Sequence, residues 1–181
     1  EVGLLADLRG PKIRINQFVG GRIELEPGQH FTLDCHYDAA PGDRTRVGVA
    51  YLNLRNDVKR GDTLLLDDGL RSMKVDDIVG LEIRCTVIHG GTLSDRKGLN
   101  RLGGGLSVPA LTDRDRADVE LAAELGLDFL AGSFARSAED MHETRALLRK
   151  SGSGAALVAK IERAEAISVL GEIIDASDAV M

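Results

Sequence analysis

The sequence predicts an α/β fold, namely part of a (β/α)8 TIM barrel with an inserted all-β barrel that forms a lid domain. Two observations predict it. Short strand-like runs between turn residues fill the first half of the chain, whereas apolar strands alternate with helical patterns in the second half, at a period of roughly 25 residues. We therefore predict a barrel strand within residues 1–14, the inserted domain over residues 15–99 and the continuation of the barrel over residues 100–181.

The first strand is predicted within VGLLADL, residues 2–8, which is apolar up to Asp7. Gly10 and Pro11 then turn the chain, so the inserted domain is predicted to leave the barrel at the carboxyl end of a strand. Active sites of (β/α)8 barrels lie at that end. We therefore expect the inserted domain to be a lid above an active site.

The inserted domain is predicted from period-two alternation between turn signals. Asp67-Asp68-Gly69 is most economically a hairpin turn, and we assign it a structural role. The pattern is typical of a small barrel or sandwich, and its strand-like runs are RIEL, HFTLDC, TLLLD, SMKV and LEIRCTVI.

The second half begins with a helix for which Thr112 is the predicted N-cap and Asp115 its partner three residues later, and Gly126 is the predicted stop. The apolar face of this helix is predicted to be formed by Ala117, Leu121 and Leu125.

Further βα units follow, with LDFLAGSF, AALVAKIE and DAVM as strands and Ser137 as the cap of the second helix. A third helix is predicted over RAEAISVLGEIIDAS, with Ile167, Leu170 and Ile174 on one face. Such units form either a doubly wound open sheet or a closed barrel. The absence of GxGxxG after any strand, and candidate ligands at strand ends, favour the barrel.

The amino-acid composition argues against several classes of function. The chain has 181 residues, 43% of them hydrophobic and 29% charged, with a formal net charge of -6. Its acidic balance argues against nucleic-acid binding, and no apolar run is long enough to span a membrane. Cys35 and Cys85 are predicted to be buried thiols of a cytoplasmic protein, no zinc site is expected and the histidines receive no role. The chain starts without a methionine and ends in a strand-like run, so we expect a fragment.

Lys160 and Glu162 give the sharpest local signal. They lie two residues apart at the end of an apolar strand and are predicted to share a face. At the catalytic end of a barrel, an ammonium beside a metal-binding carboxylate suits chemistry that builds negative charge on a phosphoryl or enolate oxygen. Lys97 and Arg101, on the return from the lid, are predicted to overhang that site.

Several motifs taken together resemble pyruvate kinase, most closely the bacterial type. The resemblance covers essentially the whole chain, in the order DLRGPKIR, LLLDDGL, GGTLSDRKGLN, VPALTDRDRADVELAAELGLDFLAGSFARSAED, VAKIERAEAI and IIDASDAVM. It implies a (β/α)8 barrel with the β lid inserted after the third strand. It also implies transfer of the phosphoryl group of phosphoenolpyruvate to ADP, giving pyruvate and ATP, in the cytoplasm.

The resemblance also implies roles for residues of this chain. Lys160 matches the lysine that stabilises the transferring phosphoryl group and the enolate. Glu162 matches a ligand of Mg²⁺ (or Mn²⁺), Arg14 matches the arginine that contacts the nucleotide phosphates, and Lys97 matches the lid lysine that does the same.

A monovalent cation site is implied at Asp7 and at the carbonyl of Leu8, where many members of the family bind K⁺. K⁺-dependent members carry Glu at the position of Lys12. Lys12 is therefore predicted to supply the charge of K⁺, with Asp7 as its counter-charge and with Arg14 on the same side of the chain.

Two other functions stay open from the residues alone: a metal-dependent lyase of the phosphoenolpyruvate/pyruvate barrel type, and a non-catalytic nucleotide-binding module. The resemblance places the second Mg²⁺ carboxylate shortly after Met181, and implies a regulatory domain and a homotetramer for the parent enzyme. The 181-residue piece itself is expected to be inactive. Neither a nucleic acid nor a membrane is expected as a partner.

Overall fold

The chain forms two structural units, and the computed structural model describes residues 2–36 and 40–181. One unit comprises Glu1–Pro11 and Val108–Met181, and the other comprises Lys12–Ser107. The second unit is therefore inserted into the chain of the first. The start of the predicted first segment, residue 1, lies outside the described residues. Within them, the helices are too short or too polar to cross a membrane.

The strands in chain order are β1 (Leu5–Asp7), β2 (Arg22–Leu25), β3 (His30–Asp34), β4 (Arg46–Gly48), β5 (Thr63–Leu66), β6 (Arg71–Val79), β7 (Glu82–His89), β8 (Gly91–Ser94), β9 (Leu99–Arg101), β10 (Phe129–Gly132), β11 (Ala156–Ala159) and β12 (Ala179–Val180). The helices are α1 (Leu54–Asp57), α2 (Asp113–Glu124), α3 (Ala138–Lys150), α4 (Ala164–Ser168) and α5 (Leu170–Asp175).

The first unit is built on a four-stranded sheet in the order β1-β10-β11-β12. All its pairings are parallel, as the alternation of strands and helices predicts, and Ala6 pairs with Leu130. Because the strands are parallel and neighbouring, their carboxyl ends lie along one edge of the sheet. This edge collects the residues that follow β1, β10 and β11.

The helices of this unit begin where the sequence predicts. Thr112 caps α2 through a capping box, in which its side chain accepts the N–H of Asp115 and the Asp115 carboxylate accepts the N–H of Thr112. Ser137 caps α3 by accepting the N–H of Asp140. The helix α2 ends just before Gly126, which has a positive φ of 64° that favours glycine.

The predicted apolar faces of two helices were wrong. In α2, Leu121 and Leu125 are exposed, as is Ala117, and the buried residues are instead Asp115, Val119 and Ala122. A four-residue spacing does not by itself select the face that packs on the sheet, because a helix offers several overlapping stripes of that spacing.

The predicted third helix is divided at Val169 into α4 and α5. Its buried residues are Ala166 and Ile173, whereas the predicted Ile167 and Ile174 are exposed and Leu170 is only partly buried. Val169, with φ of -123° and ψ of 23°, interrupts the helical backbone, so one continuous stripe does not describe the segment.

The core of this unit lies between the sheet and the helices. Aliphatic side chains and one methionine fill it. Its buried members include Leu8, Val119, Ala122, Leu130, Met141, Leu148, Leu157, Ala159 and Ile173.

The inserted unit contains a six-stranded sheet in the order β4-β3-β7-β6-β5-β9 and a two-stranded sheet of β2 and β8. All pairs are antiparallel except β3 with β4. The five predicted strand runs are confirmed as β2, β3, β5, β6 and β7, whereas the strands β4, β8 and β9 and the short helix α1 are additions. Cys35 and Cys85 are buried, free thiols. Burial raises the pKa of Cys35 to about 11 and that of Cys85 to about 12.

Candidate active site

The carboxyl ends of β1, β10 and β11 bring together a lysine, two carboxylates and a serine. Lys160 and Glu162 follow β11, Ser133 follows β10 and Asp7 ends β1. The Lys160 Nζ atom lies 3.1 Å from both carboxylate oxygens of Asp7, 3.1 Å from Ser133 Oγ and 3.3 Å from Glu162 Oε1. We call these four residues the strand-end cluster.

The strand that places Lys160 ends earlier than predicted. β11 stops at Ala159, so Lys160 and Glu162 lie in the segment after the strand rather than on it. The ladder nevertheless continues for one hydrogen bond, since the N–H of Lys160 donates to the carbonyl of Gly132 at 3.0 Å. This bond fixes the backbone of Lys160 beside β10, and the predicted proximity of Lys160 and Glu162 is confirmed.

The electrostatics of the cluster keep Lys160 charged. Burial by itself lowers the pKa of Lys160, but the hydrogen bond to Asp7 and the charge of Glu162 outweigh this effect, so the pKa lies above its ordinary value of 10.5. The Lys160 side chain is only 17% exposed. At neutral pH it is an ammonium that can stabilise an anion, and it is not a general base.

Glu162 is bound through both carboxylate oxygens. Oε1 contacts Lys160, and Oε2 accepts the backbone N–H of Phe134 at 3.1 Å. Asp7 and Glu162 together outnumber the single ammonium, so the cluster has a residual negative charge that favours a cation. Mg²⁺ is usually bound by one or two carboxylates together with waters and substrate phosphates. Glu162 fits such a site, although residues 2–36 and 40–181 contain no group of three metal-binding side chains.

Ser133 and Leu8 link β10 to β1. The Ser133 hydroxyl lies 2.5 Å from the carbonyl of Leu8 and 3.3 Å from Asp7 Oδ1. The carbonyl predicted to bind a monovalent cation is therefore hydrogen-bonded to a buried serine. The sequence analysis quoted Ser133 within a strand motif but gave it no role. A polar residue directly after a predicted barrel strand was the available signal.

A buried carboxylate holds the turn at Gly10 and Pro11, which follows β1. The N–H of Gly10 donates to Asp115 Oδ1 at 3.0 Å, and Asp115 is fully buried. The other oxygen of Asp115 accepts the N–H and the hydroxyl of Thr112. One side chain therefore joins the start of α2 to the segment that follows Asp7.

In the inserted unit, three segments bring a second group of cations together. Arg14 pairs with Gly98 in an antiparallel bridge, and the N–H of Asp67 donates to the carbonyl of Gly98. The segment after Pro11, the return segment around Lys97 and the β5–β6 turn therefore lie side by side. We call Lys12, Arg14 and Lys97 the inserted-unit cations.

The turn of Asp67, Asp68 and Gly69 is a hairpin turn, as predicted, with positive φ at all three residues. It also neutralises cations, which the sequence analysis missed. Asp67 Oδ1 lies 2.7 Å from Lys97 Nζ, and Asp68 Oδ1 lies 3.2 Å from Lys12 Nζ.

The remaining predicted residues have other partners. Arg14 donates to the carbonyl of Arg96 at 2.9 Å. Arg101 forms an ion pair with Asp62 inside the inserted unit. The counter-charge predicted for Lys12 was wrong, because the structure pairs Lys12 with Asp68 and pairs Asp7 with Lys160.

Comparison with known proteins places the chain in one family. The family model described as "Pyruvate kinase, barrel domain" matches residues 1–181. The chain is 48% identical over 184 residues to pyruvate kinase of Buchnera aphidicola subsp. Acyrthosiphon pisum and 47% identical over 184 residues to pyruvate kinase II of Salmonella typhimurium. It is 46% identical over 183 residues to pyruvate kinase of Haemophilus influenzae.

These alignments cover 99–100% of this chain and 38% of each relative. The chain therefore spans little more than a third of the length of the relatives that it matches. The match nonetheless runs through both structural units and includes the strand-end cluster and the inserted-unit cations. This chain belongs to the pyruvate kinase family.

Proposed function

We propose that this chain is part of a longer enzyme that transfers the phosphoryl group of phosphoenolpyruvate to ADP, giving pyruvate and ATP. We call that protein the full-length enzyme. In it, we propose, the parallel unit belongs to a closed (β/α)8 barrel and the inserted unit is its all-β lid. The observation that carries the proposal is the Lys160 ammonium, held by carboxylates and a serine at the carboxyl ends of neighbouring parallel strands.

In the proposed reaction, the bond between phosphorus and the enol oxygen of phosphoenolpyruvate breaks, and a bond from phosphorus to a terminal phosphate oxygen of ADP forms. The enolate that remains takes a proton on carbon and becomes pyruvate. Negative charge grows on the enol oxygen as the first bond breaks. An ammonium that is charged and fixed before the reaction stabilises this oxygen without reorganisation, which is the role we assign to Lys160.

Glu162 is the residue of this chain proposed to hold Mg²⁺ or Mn²⁺. The divalent ion, when bound, neutralises phosphate oxygens and orients them. The chain supplies the carboxylate and its orientation, since Lys160 and the N–H of Phe134 each hold one oxygen. Further ligands are proposed to come from the substrates and from elsewhere in the full-length enzyme.

Arg14 and Lys97 are proposed to contact the phosphates of ADP and ATP. Their place beside each other in the inserted unit supports this, because two cations with separate stems can meet two phosphate groups. Lys97 is then expected to exchange Asp67 for phosphate.

Asp7 and the Leu8 carbonyl are proposed as the monovalent cation position of the family. Lys12, which pairs with Asp68, is proposed to make K⁺ unnecessary in this protein by its positive charge and not by a bond to Asp7. The lysine at a position where K⁺-dependent members carry a glutamate supports this proposal. The full-length enzyme is further proposed to be a cytoplasmic homotetramer, as the resemblance implies.

The test is turnover of phosphoenolpyruvate and ADP by the full-length enzyme and by its Lys160→Met variant. We expect kcat to fall about 100- to 1000-fold, because the ammonium acts where charge develops, while nucleotide affinity changes little. Lys150→Met, at an exposed lysine at the end of α3, is the matched control and should keep the wild-type rate.

Near-normal kcat in Lys160→Met would refute the role of Lys160. Metal-dependent carbon–carbon cleavage that releases pyruvate without ADP would indicate a lyase. Nucleotide binding without any turnover would indicate a binding module.

A further inference from the structure

Phe134, directly after the strand-end serine, has a backbone conformation that bulky residues avoid. Its φ is 59°, in the left-handed region. Non-glycine residues seldom adopt this region, and an aromatic residue there is strained unless its surroundings hold it. Such strain persists at functional positions more often than elsewhere, so the contacts of Phe134 merit a functional interpretation.

Two contacts hold the loop in this conformation. The neighbouring Ser133 hydroxyl is fixed between the Leu8 carbonyl and the Lys160 ammonium. The Phe134 ring lies against Gly10, because a Cβ added at Gly10 would lie 2.6 Å from Phe134 Cδ2 and 2.9 Å from Ser133 Cβ. Gly10 therefore leaves room for the ring.

The conformation directs one backbone group to the site. The N–H of Phe134 donates to Glu162 Oε2 at 3.1 Å, while Lys160 contacts Oε1 at 3.3 Å. The N–H lies in the peptide plane between Ser133 and Phe134, and the orientation of this plane depends on ψ of Ser133 and φ of Phe134 together. Because contacts hold both residues, a change of φ at Phe134 would reorient the plane and turn the donor away from the carboxylate. Removal of this bond would leave Glu162 held on one side only.

We infer that Phe134 is a positioning residue for Glu162, acting through its left-handed backbone and its N–H rather than through a side-chain contact with the site. This inference rests on the proposed role of Glu162 as a metal ligand. Hydrogen-bond partners of a metal-binding carboxylate set its orientation and so its affinity for the ion. Gly10 contributes to this positioning, because any side chain there would displace the Phe134 ring and the loop that contains it.

The first test compares two substitutions of Phe134 in the full-length enzyme without substrates. Asparagine adopts the left-handed region readily, whereas a β-branched valine resists it. The probe is Mn²⁺, titrated into the protein while the signal of free Mn²⁺ is followed by electron paramagnetic resonance. We expect Phe134→Val to weaken Mn²⁺ binding about 10-fold or more, and Phe134→Asn to stay within about threefold of wild type.

Wild-type Mn²⁺ affinity in Phe134→Val would overturn the inference. Equal losses in the two variants would also overturn it, because the ring and not the backbone would then be responsible. Glu162→Gln separates this outcome from failure of the proposed function. If Glu162→Gln also binds Mn²⁺ normally, the metal role itself is wrong; if it binds weakly while Phe134→Val binds normally, only the role of Phe134 is wrong.

The second test perturbs the same loop through Gly10, which contacts the Phe134 ring, and leaves Phe134 itself unchanged. Gly10→Ala adds the Cβ that meets the ring, and Gly126→Ala is its matched control. The two glycines have φ of 65° and 64°, so alanine meets the same backbone strain at each, but nothing lies within 4 Å of a Cβ at Gly126. We expect weaker Mn²⁺ binding in Gly10→Ala alone.

Equal Mn²⁺ affinity in Gly10→Ala and Gly126→Ala would contradict the inference. This pair of variants decides the matter if Phe134→Val does not fold. Circular dichroism and urea unfolding show whether each variant is folded.

Discussion

The buried carboxylate of Asp115 gives the most quantitative prediction about this fold. Asp115→Asn keeps the size of the side chain, so no cavity forms, but it replaces one acceptor oxygen by an NH₂ group. The wild-type carboxylate accepts three hydrogen bonds, from the N–H of Gly10 and from the N–H and hydroxyl of Thr112. An asparagine can no longer accept at both oxygens.

The magnitude follows from these bonds. Whichever way the amide is turned, either the Gly10 N–H or the Thr112 donors face an NH₂ group, and a buried donor without an acceptor costs about 1–3 kcal/mol. The hydrogen bonds that remain are weaker because their acceptor is no longer charged, which costs about 1 kcal/mol of stability. Part of this loss is offset because the asparagine, unlike the aspartate, buries no charge. We expect Asp115→Asn to lower the free energy of unfolding by about 2–3 kcal/mol.

Urea unfolding of the full-length enzyme measures this loss, and amide hydrogen exchange of the peptide around Gly10 locates it. Asp113→Asn is the matched control, because Asp113 lies in the same first turn of α2 but is exposed. It removes the same charge near the helix N-terminus, and we expect an effect of about 0.5 kcal/mol or less. If both variants lose the same stability, or Gly10 exchanges no faster in Asp115→Asn, the reasoning fails.

Three further predictions concern the cation position, acid stability and the inserted unit. The full-length enzyme is expected to turn over its substrates in K⁺-free buffer in which a tetramethylammonium salt keeps the ionic strength. The Lys12→Glu variant is expected to need K⁺ for activity. Strong activation of the wild-type enzyme by K⁺ would contradict this prediction. The N–H of Leu157 and the guanidinium of Arg145 lower the pKa of Asp178 from its ordinary value of 3.8, so its contribution to stability is complete above that pH and is lost as the pH falls through the folded pKa. The loss of stability in Asp178→Asn, measured by thermal unfolding, should therefore shrink below pH 3.8, and a loss independent of pH would be contrary evidence. The isolated Lys12–Ser107 unit should fold and give a dispersed amide spectrum, since its core and its sheets are internal to it; a collapsed spectrum would count against independent folding.

Local signals explain which parts of the fold were predictable. At the caps, the side chains of Thr112 and Ser137 each accept the backbone N–H of the residue three positions later, so the local sequence specifies them. The buried faces of the helices depend on which side meets the sheet. Leu121 and Ile167 are apolar and still exposed, while the carboxylate of Asp115 is buried because the fold supplies donors to it.

The residues of the candidate site likewise include some that the sequence indicated and some that it did not. Lys160 and Glu162 were found because charged side chains at the end of an apolar strand are conspicuous. The contribution of Phe134 was missed because it is made by a backbone N–H, which has no signature in the residue type. The pairing of Lys12 with Asp68 was missed because a turn that is structural by its pattern can also place carboxylates next to cations of a neighbouring segment.

The ion pairs of the proposed site affect how phosphates would bind to it in the full-length enzyme. Two of the cations proposed to act on substrates already have carboxylate partners: Lys160 and Lys97. A phosphate that binds them exchanges one ion pair for another and does not fill a bare positive surface. The free energy needed to break these ion pairs is therefore subtracted from the free energy with which a phosphate binds.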